Sequence, residues 1–387
     1  MKTVSIQPSF QEVISDVRAG CIPTDSFWVN FIAKDQLEDG EAHEEVITVS
    51  KSGEEIVFKN SGGVRFTEVD AHEYTVVYCG AKYSLRTPKQ KIDTGVENPT
   101  SLDISPNEST FMLGKDDGSI AIGSLTDGSK REIFEGAHLS TVTRSLFFPS
   151  GQVALTTGLD FHIKIWNVKD GSCPRTFAEQ NQRITDLAMI ERGRNFLSSS
   201  LDGTIKLWDC GSGIAITTLK RNRSLKDGVT SLCVTEGTTK MATAKSTYEF
   251  GTLGKTVFAG HESGVITAFD LGSRVESFNI PSLHSSVLSM GRISESTFIV
   301  GYEKGIVGQW DLRNLKKIVN TYETGHLNNM TVDGSISLSY GTGYVSTLSK
   351  SLNPLHSYAG TEDDCTLISS RKHTYLGGSN GLIYQFQ

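Results

Sequence analysis

Apolar and polar positions alternate in short runs through most of the chain, and residues 197–213 show the pattern best. They read Leu-Ser-Ser-Ser-Leu-Asp-Gly-Thr-Ile-Lys-Leu-Trp-Asp-Cys-Gly-Ser-Gly. The pattern predicts a strand ending at Ser200, a tight turn at Leu201-Asp-Gly203 and a second strand over 204–209. Period two puts Ile205 and Leu207 on one face and Thr204, Lys206 and Trp208 on the other. Two such strands cannot stand alone, so the unit must recur. Residues 155–171 repeat it around Trp166, 42 positions before Trp208, and residues 300–313 repeat it around Trp310. A period of roughly 40–45 residues closed by Trp-Asp is that of four-stranded propeller blades.

The units can be followed from residue 98. The first carries strands at 101–104, 111–113 and 120–124, and the second at 143–148, 154–157 and 163–168. The third has them at 185–190, 196–200 and 205–209. In the fourth, an inner strand at 230–234 is separated from a second strand at 256–259 by residues 236–254, which are expected to loop out of the blade. The fifth holds 287–290, 298–301 and 306–312. Two degenerate units follow, at 330–348 and 365–386. The last stops after its third strand, while a strand-like segment at 91–96 precedes the first unit. Pairing the two would close the ring and cover its open edges.

Residues 1–93 lack the period. Ser9-Phe-Gln-Glu12 has capping-box spacing, and Phe10, Val13, Ile14 and Val17 share a helical face, so a helix is expected over 10–18. Strands are expected at 27–32, 46–50, 55–59, 64–69 and 74–78. The fold class is therefore mainly β: a small α+β domain over 1–93 and a seven-bladed propeller over 94–387.

Composition narrows the partners. The net charge is −7, with 37% hydrophobic and 21% charged residues, and no Lys/Arg run suits a nucleic acid. No window reaches the ~18 apolar residues of a membrane span, and the amino terminus lacks a signal-peptide core. Six cysteines without a C-x-x-C pair suggest neither zinc nor a disulfide framework. A reducing compartment, cytoplasm or nucleus, follows. The chain is expected to be a monomer when free.

Units two and three repeat a set of polar types: His138, Thr156, Asp160 and Trp166 in one, Ser198, Asp202 and Trp208 in the other. His, Thr/Ser and Asp together suggest a hydrolase, but repetition along a ring suits an internal hydrogen-bond relay better, because a buried acid needs donors. No catalytic residue, cofactor or metal ligand is therefore assigned. Gly251-Thr-Leu-Gly254 lacks the lysine of a phosphate loop, and His72, His261, His284, His326 and His373 are read as surface or capping residues. The turns between second and third strands share a face with the loops that enter each inner strand. That face collects Asp116, Asp117, Glu262, Glu303, Glu362, Asp363 and Asp364, with Asp227 among other acids and with fewer bases, among them Arg183 and Lys304. A field of one sign steers an oppositely charged partner.

The Trp-closed units resemble WD repeats. Several stretches are similar to one family in particular: Phe147-Phe-Pro-Ser-Gly151, Asp186-Leu-Ala-Met-Ile-Glu-Arg-Gly-Arg-Asn195, Glu249-Phe-Gly-Thr-Leu-Gly-Lys255 and Gly301-Tyr-Glu-Lys-Gly305. They resemble the proteasomal ATPase-associated factor family, whose fungal members are assembly chaperones of the 19S regulatory particle. The resemblance is strongest over residues 130–315. It implies a non-enzymatic chaperone that binds the carboxy-terminal domain of one proteasomal AAA ATPase subunit. The alternative is a scaffold or substrate-receptor propeller in another complex, such as a ubiquitin ligase.

Overall fold

The computed structural model describes residues 2–33, 43–60, 62–126, 128–221, 226–236, 246–283, 285–294, 296–341, 343–361 and 364–386. Among them the repeats build seven blades around an axis lined by the inner strands. These are Pro99–Ile104, Val142–Phe147, Ile184–Ile190, Val229–Glu236, Val287–Arg292, Leu327–Asp333 and Cys365–Ser370. Each blade is an antiparallel meander, and each inner strand packs beside the next until the seventh meets the first. Alternation buries both faces, because every blade is covered by a neighbour on each side. Trp208 is fully buried, with Phe177 and Phe196 at ring distances of 5.1 and 6.2 Å. Trp166 stacks on Phe134 at 5.7 Å.

Two devices close the ring. The strand Gln90–Asp93 pairs with Leu382–Phe386 and becomes the fourth strand of blade seven, so the propeller begins before residue 94. Near the axis, where the inner strands of blades seven and one meet, the buried Asp103 carboxylate joins three blades. It accepts from Phe147 N of blade two at 2.7 Å, and from Ser369 Oγ at 3.2 Å and Arg371 Nη2 at 2.9 Å of blade seven. Arg371 Nε also donates to Ile104 O, and His373 meets Glu108 at 2.7 Å.

The amino-terminal residues form a sheet of Lys2–Ile6, Thr24–Ala33, His43–Ser52 and Glu55–Asn60 with the helix Phe10–Ala19 packed on it. Phe10, Val13, Ile14 and Val17 are buried as the helical spacing predicts. The expected capping box is not formed: Ser9 Oγ makes no cap bond and instead accepts from Gln7 Nε2. A second group of strands, Arg65–Glu68, Glu73–Tyr78 and Ala81–Arg86, leaves this sheet. It continues blade six through a parallel pairing of Ala81–Arg86 with Pro354–Tyr358. The amino-terminal part is thus hydrogen-bonded into the propeller.

The insertion in blade four leaves that blade's ladder as expected, but residues 246–254 do not stand free: they fold back on blade three. Asn195 Nδ2 donates to Tyr248 O at 3.0 Å, and Phe250 N donates to Asn195 Oδ1 at 2.6 Å. Arg194 lies 4.9 Å from the Phe250 ring and holds Asp209 at 2.8 Å, while Glu249 is ion-paired with Arg274. The Arg-Gly-Arg-Asn motif at 192–195 is therefore the clamp for the segment that contains the second motif, 249–255. Residues 237–245 of the insertion lie outside the described residues.

Candidate protein-interaction face

The relay in blade two has the geometry its residue types suggest. His138 Nδ1 is 3.0 Å from Asp160 Oδ1, and His138 Nε2 is 2.8 Å from Thr156 Oγ1. Trp166 Nε1 donates to Thr156 Oγ1 at 2.8 Å. Burial holds the His138 imidazole below its ordinary pKa, although Asp160 pulls it up. A neutral ring fits one proton order: indole N–H to hydroxyl, hydroxyl to Nε2, Nδ1–H to carboxylate. Asp160 also accepts from Leu139 N and His162 N, which ties the turn to the loop before the inner strand. Thr156 and His138 are buried, and both are bonded on two sides, so neither can meet a substrate.

Blade three keeps the outline with Gln180 in place of histidine. Ser198 Oγ donates to Gln180 Oε1 at 2.7 Å and accepts from Trp208 Nε1 at 2.8 Å. Asp202 accepts from Thr204 and Asn181. Blade five has Val300 where blades two and three carry the hydroxyl, two residues past the Phe298 that pairs with Trp310, so the relay decays around the ring. Thr156→Val should leave both Trp166 Nε1 and His138 Nε2 unpaired. The expected loss is about 1–3 kcal/mol, read as a lower urea midpoint, whereas Val300→Thr should cost far less or stabilise.

His261 is a correction. It is buried rather than superficial, bonding Thr267 Oγ1 at 3.1 Å beside Asp227. His373 pairs with Glu108, and His284 lies outside the described residues. Asp227 is also withdrawn from the acidic face: Arg221 holds it at 2.7 Å, and Ser263 donates to it from both backbone and side chain.

The remaining acids share one end of the propeller without forming one cluster. Asp116 and Asp117 project from the turn of blade one, both exposed. Lys115 at 2.6 Å and Ser119 hold the Asp117 carboxyl down to about 2, so it stays ionised. Glu262 and Glu303 both line the mouth of the central channel, a cavity of about 520 Å³, together with Arg183 and with Arg144, which lies 3.5 Å from Asp186. The mouth is therefore balanced in charge, and the acids that stand apart from these arginines are Asp116 and Asp117 on one side and Asp364 by blade seven. Glu362 and Asp363 lie outside the described residues.

Inside the mouth is a pattern the linear reading missed. Every inner strand carries one extra residue against its neighbour: Thr100, Thr143, Thr185, Thr230, Leu288, Asn328 and Thr366. A bulge leaves that residue out of the ladder and bends the strand. The threonines use the freed position to stitch blades together. Thr100 Oγ1 donates to Val142 O, Thr185 Oγ1 to Val229 O and Thr230 Oγ1 to Val287 O, each at 2.6 Å. Aligning the units would have shown it, since four inner strands open on an apolar residue or proline followed by threonine. Among the described residues, no three His, Cys, Asp or Glu side chains converge to hold a metal ion.

The face belongs to a recognisable lineage. The family model for the WD domain, G-beta repeat, matches residues 129–167 and 171–209, which cover most of blades two and three. The chain is 31% identical over 329 residues to the 26S proteasome regulatory subunit RPN14 of Saccharomyces cerevisiae, covering 82% of this chain and 76% of that one. The chain belongs to the RPN14 family of WD-repeat proteins. More distant likenesses fit the same repeat architecture. Pre-mRNA-processing factor 19 of Dictyostelium discoideum is 22% identical over 71% of this chain and 54% of its own length. COMPASS component SWD3 of Saccharomyces cerevisiae is 25% identical over 61% and 75%. Within the RPN14 family the relay, the threonine stitching and the double closure make this chain a rigid disc that presents its turns at one end.

Proposed function

We propose that this protein is a non-enzymatic assembly chaperone of the proteasome regulatory particle. It binds the carboxy-terminal domain of one proteasomal AAA ATPase subunit through the face that carries Asp116, Asp117, Glu262, Glu303 and Asp364. The observation that carries the reading is the exposure of these acids on one end of a disc whose buried carboxylates, those of Asp103, Asp160 and Asp209 among them, are bonded internally. Family membership points the partner toward the proteasome. The mechanism is occupation: the disc covers a basic surface of the ATPase until assembly exposes a competing neighbour, and no bond is made or broken.

The test is capture of the six isolated ATPase carboxy-terminal domains by the purified chain at low and moderate salt. One domain should be retained, and less of it as salt rises. The triple variant Asp116→Lys, Asp117→Lys, Glu303→Lys should weaken capture by about tenfold or more with the melting temperature little changed. Capture of none would leave a WD-repeat scaffold with another partner.

A further inference from the structure

The turn between second and third strands ends, in six blades, on a glycine in the left-handed region: Gly118, Gly203, Gly264, Gly305, Gly343 and Gly381, with φ from 76° to 104°. The glycine is needed there. A Cβ at Gly118, Gly305 or Gly381 would collide with the backbone carbonyl of the adjoining loop. Blade two breaks the rule. Its turn holds Phe161 at φ 64°, a conformation that bulky residues adopt only at a cost. The ring is not driven there by burial, since Phe161 remains 40% exposed.

Two further exposed apolar residues belong to the same turn and to the loop bonded to it. Leu159 belongs to the same turn and is 37% exposed, and Leu139, in the loop before the inner strand, is 87% exposed. The relay fixes their relative position. Asp160 lies between Leu159 and Phe161 and accepts from Leu139 N, while His138 is locked to the same carboxylate. Three apolar residues are thus displayed on a rigid base. Acids flank them on the blade-one side: Thr141 Oγ1 donates to Asp116 O and His138 N to Gly118 O, which brings the exposed Asp116 alongside, with Asp117 beside it paired to Lys115, and the exposed Glu135 precedes Leu139 in the loop.

Backbone strain retained at a residue whose apolar ring stays partly exposed is an arrangement that serves binding. We propose that Leu139, Leu159 and Phe161 form the apolar anchor of the docking face, and that its occupant is a protein segment presenting an aliphatic or aromatic side chain flanked by lysine or arginine. This rests on the reading that this end of the disc docks a partner, and it deepens that reading. Contact is centred off-axis over blades one and two, where the anchor supplies the desolvated centre and the acids supply the rim. The channel mouth, balanced between Arg144, Arg183, Glu262 and Glu303, is peripheral to it.

The two readings are separated by using two probes on the full chain. The first is a random peptide display library selected on the wild-type chain, with the Phe161→Gly chain as counter-selection. Enrichment of peptides with an apolar residue between basic ones, absent on Phe161→Gly and reduced on Leu139→Ser, is the expected result. The second is the ATPase domain captured by the wild type, whose affinity should fall at least about 30-fold in Phe161→Gly, the loss that marks a hot-spot residue. Melting supplies the control: Phe161→Gly relieves the left-handed turn, so its melting temperature should hold or rise by about 1–2 °C. Binding lost while stability is kept separates an anchor from a packing residue. If no ATPase domain is captured, the proteasomal partner is wrong and the peptide selection alone decides the anchor. Equal selection on wild type and Phe161→Gly overturns the proposal. So does a wild-type chain that self-associates through Phe161 in sedimentation, because the occupant would then be a second copy.

Discussion

Arg371→Ala is expected to lower the unfolding free energy by about 3–5 kcal/mol, one of the largest losses available to a single substitution in this chain. The reason is the company Asp103 keeps. Its carboxylate is buried at the meeting of blades seven, one and two, and burial already pushes its pKa up while Arg371 pulls it down. Without the guanidinium the charge has no counterion, and Ser369 and Phe147 N cannot offset the desolvation. The pH dependence follows. A folded-state pKa raised above 3.8 gives stability that is present in acid and lost as pH rises. The deficit of Arg371→Ala should therefore shrink as pH is lowered toward 4 and be complete at pH 7. Urea midpoints at two pH values measure it. The double variant Asp103→Asn, Arg371→Met should recover most of the loss, because no unpaired charge remains. A double variant as unstable as the single one would mean that the seam depends on shape rather than on the ion pair.

The second large effect is acid lability. His138, His261 and His356 all have pKa values held below their ordinary range by burial, His356 down to about 4. His356 lies on the blade-six strand that meets the amino-terminal part, with Arg86, Lys82 and Glu73 lining the cleft beside it and Arg86 lowering it further. An unfolded histidine titrates near 6.5 and takes up a proton the folded ring refuses. Stability should therefore be full above pH 6.5 and fall as pH drops toward 4. His356 alone contributes about 3 kcal/mol of the fall. His356→Leu should flatten that part of the curve, and an unchanged slope would place the acid sensitivity elsewhere.

The blades that could be read from the sequence are those whose turns and closing strands carry strong local chemistry. Asp202-Gly203 and Trp208-Asp209 mark both ends of one strand, so blade three was legible within a residue or two. Blades six and seven lack tryptophan, and only alternation and the glycine turns at Gly343 and Gly381 mark them. Fourth strands such as Arg175–Phe177 and Ala215–Lys220 escape, because a half-exposed outer edge imposes little pattern on its side chains. In the amino-terminal part, Lys2–Ile6 and Ala81–Arg86 went unseen for different reasons. Lys2–Ile6 is defined by Thr24–Ala33, beyond an intervening helix, whereas Ala81–Arg86 is the second arm of a tight hairpin with Glu73–Tyr78 across Cys79-Gly80, and its weak alternation hides it. The acidic face was legible as a set of turns, yet three-dimensional placement was needed to see that Arg221 consumes Asp227 and that Arg144 enters the mouth. Phe161 was in plain view at the glycine position of its turn.

The strand Gln90–Asp93 has a consequence for how the molecule is made. It leaves the ribosome early and has no partner until the last segment of the ring follows it; the bond from Thr94 to Gly381 alone spans 287 positions. At roughly 5–20 residues per second, that is a wait of roughly 15–60 s with a sheet edge exposed. For that time the nascent chain is an open crescent whose first and last blades attract any loose strand, its own or a neighbour's. A protein that would attend the assembly of others thus passes through a stage at which it needs shelter itself.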